Sequence, residues 1–466
     1  MDDVLDISAC RLAQRVRDRS ASVLDLVDAH IARIKRVNPS INAVAARRFD
    51  AARRDALAVE ARIANAPRRA PLPPLLGVPF TVQEAIGVAG LPHTGGLIYR
   101  WNRTAREDGP LVRRLRAAGA LPLAVTNQPE ACLGVETKNL IYGRTRNPWG
   151  AEHTAGGACG GEAALIASGG SPLGAGGGLL SAVSIPAAFC GVPAHQPSAQ
   201  LIPSCHGWGG GKLRSGLLAR RVEDLVLLLN VLTKEPLPPA PPDLSGVRIL
   251  RLGSWAGVQV SSAMTETLER ACEALICRGA RVERLQEPAL EDAIAIWGAA
   301  LRERTPDDFA ELLGDGRSVP VLREAARFVL GRSNHTASAL VLAMVEAIRR
   351  RLPSDRPSDA AAGKALRERL AEHLGHDGVI LHPPYGRPAP RHRGTWLTPS
   401  DLLLSGLFDV LGMPGTVVPM GFDVSGLPLA AQISGRRGDD ARTLAVAAAL
   451  EADFGGWVRA QPMPLR

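Results

Sequence analysis

The stretch AEHTAGGACGGEAALIASGGSPLGAGGGLLSAVSIPAAFCGVPAHQPS, residues 151–198, decides how the rest of this chain is read. Its two glycine-rich turns, Ala-rich segment and apolar run reaching Ile185-Pro186 suit a site lined by backbone better than a plain core. Gly160 and Gly161 precede Glu162-Ala163-Ala164-Leu165-Ile166-Ala167, so a helix is expected to open here. Its unpaired N–H groups and positive dipole would then face the first glycine turn, where an anion or a polarised carbonyl would be at home. The same pattern also describes an ordinary tight turn into a buried helix.

Upstream, Leu75-Leu76-Gly77-Val78-Pro79-Phe80-Thr81-Val82 reads as a short strand ending at Gln83-Glu84, after a proline cluster that stops an Ala/Arg-rich helix over 49–67. Asp108 and Pro110 open a helix that Gly119 closes, and Ala120 to Thr126 is apolar enough for an interior strand. Strand, helix and strand in that order predict an α/β layer with a partly parallel sheet. Nearer the start, Ser22 caps a helix with Asp25 at its N3 position, and the helix is expected to stop before Asn38-Pro39. Residues 132–150 read as loop.

Downstream, Arg220 to Leu229 is an apolar helix, and the proline-rich 233–243 is the most credible linker. A strand at Val247–Leu252, helices near 261–278, 321–330, 335–352 and 358–374, and a strand at Gly378–Leu381 follow. Two short interior strands are then expected within 412–434, and a final helix over 440–454 carries Ala and Leu on nearly every face. Because sheet-like sequence returns after the helices, 240–380 reads as a peripheral, mostly helical region on one unit spanning 1–466, with its core at 75–200.

Nearly half of the 466 residues are apolar, enough for a large core. No apolar run reaches membrane-spanning length, and the acidic start MDDVLDISAC lacks the order of a signal peptide, which points to a cytoplasmic protein without a membrane span. Seven cysteines, widely spaced and without a CxxC pair, predict reduced thiols rather than disulfides or a zinc ribbon. The formal charge of +9 comes from arginines interleaved with Glu and Asp, so nucleic acid is not an expected partner. His206 beside Cys205 has no metal-ligand spacing, and no phosphate-binding glycine motif follows a strand. No metal, nucleotide or other cofactor is implied.

The ordered set GVPFTVQEAIGVAGLPHTGG (77–96), RLRAAGALPLAVTNQPE (114–130), TAGGACGGEAALIASG (154–169), SIPAAFCGVPAHQPS (184–198) and GLPLAAQISGRRGDD (426–440) resembles the amidase signature family. That family of serine hydrolases includes fatty-acid amide hydrolases and the glutaminyl-tRNA amidotransferase A subunit, and the likeness covers almost the whole chain. It implies an α/β fold with a large mixed, twisted sheet covered by helices on both faces. It also implies a lysine, a bridging serine after a cis peptide, and a nucleophilic serine. Carried over residue by residue, these positions are Gln83, Ala158 (after Gly157) and Ala182.

An amide is a negligible base, and a methyl group neither relays a proton nor attacks a carbonyl, so this resemblance implies a degenerate triad. Leu179, Leu180 and Ser181 stand where the family-like run has Ile-Gly-Gly, and Ser184 where it has arginine. Inactivation in the laboratory would account for the two alanines but not for these changes, so natural divergence is the better reading. The expected pocket comprises Gln83, Cys132, Ala158, Cys159, Leu179, Leu180, Ser181 and Ala182.

Two functional readings follow. One is a pseudoenzyme that keeps a small-molecule pocket or a partner-binding role, with a homodimer favoured by the family likeness. The other is a repurposed enzyme of specialised metabolism (acyl transfer, condensation or cyclisation) in which Cys159, ahead of a helix, serves as nucleophile. Glu84, His93, Glu130 and His153 are its candidate acid or base neighbours. Cys159 also fits the blander role of a small buried space-filler. Arg144, Arg146 and Asn147 are candidates to orient an anionic group at the pocket mouth, or belong to a solvated loop.

Overall fold

The near-continuous apolar sequences Pro79–Gln83, Leu121–Thr126 and Leu173–Gly178 suit strands covered on both faces, and every residue in them is buried. The computed structural model describes residues 4–67, 70–178, 181–206, 212–238, 243–253, 255, 257–304, 309–351 and 359–462. In it these three strands run parallel within a twelve-stranded mixed sheet.

The strand order is Val44–Arg47, Leu121–Thr126, Pro79–Gln83, Leu173–Gly178, Lys212–Ala219, Ala194–Gln196, Gly415–Phe422, Pro428–Ser434, Gly378–His382, Arg248–Arg251, Arg281–Arg284, with Cys205–His206 pairing off Lys212–Ala219. Gly378–His382, Arg248–Arg251 and Arg281–Arg284 form a second parallel group, and antiparallel pairs join the two groups. Helices flank the sheet: Gly160–Ala167 packs on Pro79–Gln83 and Leu173–Gly178, and Asp440–Phe454 on Gly415–Phe422. Two apolar clusters result. The smaller one, around Leu250, Leu370, Ile380, Leu404 and Phe408, meets the larger at Trp297, which packs against both.

Several expectations shift in instructive ways. The helix from Val23 runs through Pro39 to Ile41. A proline in the last turn forfeits little, and Asn42, at φ 50°, closes the helix through Asn38, whose side chain accepts the N–H groups of Ala43 and Val44. Ser22 caps this helix as expected by accepting the Asp25 N–H. Asp108 does not cap the next helix; Gly109 is its N-cap, and Asp108 instead accepts the Ala89 N–H at 2.8 Å.

The 132–150 loop contains short paired strands, Lys138–Asn139 with Gly143–Arg144, and Arg146–Asn147 with Gly150–Thr154. Asp440–Phe454 buries one stripe, including Leu444, Ala447 and Leu450, rather than every face. Residues 239–242 of the linker lie outside the described residues. A helix over Ala293–Arg304, not anticipated, supplies Trp297.

Candidate active site

The strand Pro79–Gln83 carries Gln83 into the interior, where the side chain is fully buried. Its Oε1 accepts the Gly177 N–H at 2.6 Å and the Cys159 thiol at 3.6 Å. Its Nε2 donates to the Ala158 carbonyl at 3.4 Å and to the Cys132 sulfur at 3.5 Å, and the Cys132 thiol donates to Gln128 Oε1 at 3.4 Å. The neighbouring end of Leu173–Gly178 brings in the two alanines: a methyl placed on Gly178 would lie 2.9 Å from Ala182 Cβ and 3.0 Å from Ala158 Cβ. Gln83, Cys132, Ala158, Cys159 and Ala182, distant in sequence, thus meet at one place. Leu179 and Leu180 lie outside the described residues. Ser181 is buried at φ 49°, and its Oγ has no hydrogen-bond partner among the described residues.

Close backbone approach shapes the site. The Gly157–Ala158 peptide is cis. A Cβ on Gly157 would stand 2.4 Å from the Gly134 carbonyl oxygen, so no larger residue fits there. Ala131 and Cys132 hold φ values of 58° and 55°, a conformation uncommon outside glycine that aims the Cys132 thiol at Gln83.

The helix end expected to face the first glycine turn has part of its donor set already committed. Cys159 is the N-cap of Gly160–Ala167, its N–H donates to the Ala182 carbonyl at 3.0 Å, and the Gly160 N–H donates to Thr137 Oγ1 at 3.1 Å. Cys159 itself packs flat on the glycine strand, where a Cβ on Gly176 would come 2.3 Å from its sulfur. Gly176→Ala is therefore expected to destabilise the protein by about 2 kcal/mol, with Cys159→Ala in the same chain restoring most of the loss in a denaturant titration.

The candidate acid and base neighbours of Cys159 are engaged elsewhere. Glu84 accepts from Thr94, Gly95, Gln128 and Tyr142. His93 bonds the Ala85 carbonyl, and His153 that of Ala389. Glu130 takes His335 Nδ1 at 2.5 Å together with the N–H and hydroxyl of Thr336. Asn147 is buried and braces the carbonyls of Thr154 and Phe189, which is an architectural role. Arg144 and Arg146 are half-buried on the short strands.

Sequence reasoning passed over Glu162, His335, Trp297 and Ser405. Glu162 is buried against the sheet, where Thr81 and Thr126 hydroxyls donate to it, and burial pushes its pKa up to about 8. A lone Glu inside GGEAALIA was its signal. Trp297 and Ser405 come from helices far along the chain and His335 from the bend before the helix Ala337–Arg351, with no local pattern that marks them.

The chain belongs to the amidase family, whose profile matches residues 25–444. It is 34% identical to fatty-acid amide hydrolase 2-A of Danio rerio over 97% of this chain and 90% of that protein. It is 33% identical to human fatty-acid amide hydrolase 2, over 98% and 91%. In structure it resembles 6-aminohexanoate cyclic dimer hydrolase complexed with substrate, with a TM-score of 0.77, 25% identity and full coverage of both chains. No helix among the described residues is long and apolar enough to cross a membrane.

Proposed function

We propose that this chain is a catalytically degenerate amidase-fold protein: it keeps a small-molecule pocket, or a surface for a partner or second copy, without Ser-Ser-Lys amide hydrolysis. The observation that carries this reading is the convergence of two methyl groups and one carboxamide, Ala158, Ala182 and Gln83, where the family likeness calls for two hydroxyls and an amine. Gln83 is held by Gly177 and Cys159 as a structural amide, and no proton relay can be assembled from these side chains. The relatives named fatty-acid amide hydrolases suggest an aliphatic amide as the kind of molecule held.

Incubation with primary amides, anilides and esters is expected to give no turnover, and a fluorophosphonate probe no adduct. Turnover, or a labelled serine beside Ala158 and Ala182, would sink the proposal. The repurposed-enzyme reading draws on the two thiols, Cys132 and Cys159, that both touch Gln83. Intact mass spectrometry would favour it if a substrate adduct appeared on the native chain and vanished in Cys159→Ala.

A further inference from the structure

Away from the glycine turns, the first turns of two helices meet. The helix Ala9–Arg17, capped by Ser8, carries Cys10, and Glu223 and Asp224 open the helix Val222–Leu232, which packs against it. The Cys10 N–H donates to Asp224 Oδ1 at 2.9 Å, and the Cys10 thiol to the Glu223 backbone carbonyl at 3.6 Å. The Cys10 sulfur and one carboxylate oxygen from each acid lie within 4.8 Å of one another. Asp224 is fully buried, yet its Oδ2 has no hydrogen-bond partner among the described residues. Buried carboxylate oxygens are almost always satisfied, so this one points to a missing cation or donor.

We infer that Cys10, Glu223 and Asp224 form a zinc site that clamps the helix Ala9–Arg17 to the helix Val222–Leu232. One soft thiolate with two carboxylates suits zinc, whereas magnesium and calcium take oxygen ligands alone. Cys10 and Asp224 are already fixed against each other, and Glu223, exposed on its helix, can swing in to complete the set. Glu223 also lines a groove of about 1000 Å³ with Asp6, Ser8, Arg11 and Glu451, which gives an ion a way in and leaves room for water as fourth ligand. Burial, the largest cause, holds the Cys10 thiol above its ordinary pKa, so the ion must displace that proton into solvent. Two helix N-termini and the nearby charge of Arg17 offset the negative charge that remains. The assignment stands whether or not the chain hydrolyses amides.

The metal-stripped, untagged full chain is dialysed against a small excess of Zn2+ and assayed by atomic absorption, with Co2+ as a spectroscopic probe. The native chain is expected to retain one zinc per chain and to melt several degrees higher with it. With cobalt it should show a near-ultraviolet thiolate charge-transfer band. Cys10→Ala and Asp224→Asn should each lose the zinc and the melting shift, and Glu223→Gln should weaken retention about tenfold. Cys10 is half-buried and Glu223 exposed, so Cys10→Ala and Glu223→Gln are expected to fold normally. Cys277→Ala, which removes an exposed thiol elsewhere, should change nothing.

No zinc on the native chain, or zinc retained unchanged by either Cys10→Ala or Asp224→Asn, overturns the assignment. A cobalt spectrum without the thiolate band overturns it too, because the ion would then sit elsewhere.

Discussion

Between pH 4.5 and pH 8 the native protein is expected to lose roughly 5 kcal/mol of stability relative to Glu162→Gln. Burial raises the Glu162 pKa from 4.5 to about 8, against the opposing hydroxyls of Thr81 and Thr126. Within that window the folded chain holds a proton that the unfolded chain has released, so raising the pH favours unfolding at about 1.4 kcal/mol per pH unit. The contribution is fully present below pH 4.5 and gone once the pH passes 8. Glutamine stays neutral throughout and can present its oxygen to one threonine and its NH2 to the other, because a hydroxyl can turn to accept.

Asp224 and Glu451, raised by burial to about 6 and about 7, slope the same way but are present in both proteins. The difference between native and variant therefore isolates Glu162. Urea titrations at intervals from pH 4.5 to pH 9 measure it, and parallel curves for the two proteins would show that Glu162 ionises normally in the fold.

Legibility in the sequence followed the range of the interactions. The strand at 79–83, the helix closed by Gly119 and the strand at 121–126 were readable because local punctuation and period determine them. Pro39 misled, because the helix it was expected to end has an alternative close through Asn38 and Asn42, and only the chain beyond shows it. Gln83, Ala158 and Ala182 could be named from family likeness, but nothing local says that their side chains meet; register across the strands Pro79–Gln83 and Leu173–Gly178 does that. Cys159 looked activated because a helix follows it, yet its N–H and its thiol both turn inward to partners that sequence cannot place. Cys10 and Asp224 were invisible as a pair, since more than two hundred residues separate them and neither sits in a motif. Local order is written locally, whereas pockets are made where distant segments meet.

Glu84→Ala is expected to remove about 5 kcal/mol of stability or to leave no soluble folded protein, and Glu84→Gln to cost about 2–3 kcal/mol where Glu162→Gln costs little. These two fully buried glutamates differ in what surrounds them. Oε1 of Glu84 accepts the Thr94 N–H at 2.5 Å, the Thr94 hydroxyl at 2.7 Å and the Tyr142 hydroxyl at 2.9 Å. Oε2 accepts the Gly95 N–H at 2.9 Å and Gln128 Nε2 at 3.1 Å. Backbone N–H groups cannot turn into acceptors, so a glutamine NH2 at either position faces at least one donor head-on. Alanine leaves the Thr94 and Gly95 N–H groups and Gln128 Nε2 without this acceptor in the interior, while the Thr94 and Tyr142 hydroxyls, 3.2 Å apart, keep each other.

The damage would spread to the residues around Gln83, because Gln128, steadied by Glu84, also accepts the Ala85 N–H and the Cys132 thiol that borders Gln83. Burial first, and then the negative charge of Glu84, also hold the Tyr142 phenol above its ordinary pKa. Denaturant titrations of Glu84→Gln and Glu162→Gln side by side at pH 7 decide the matter. Equal stabilities would mean that the Glu84 donors find other partners and that the site is not held by its carboxylate.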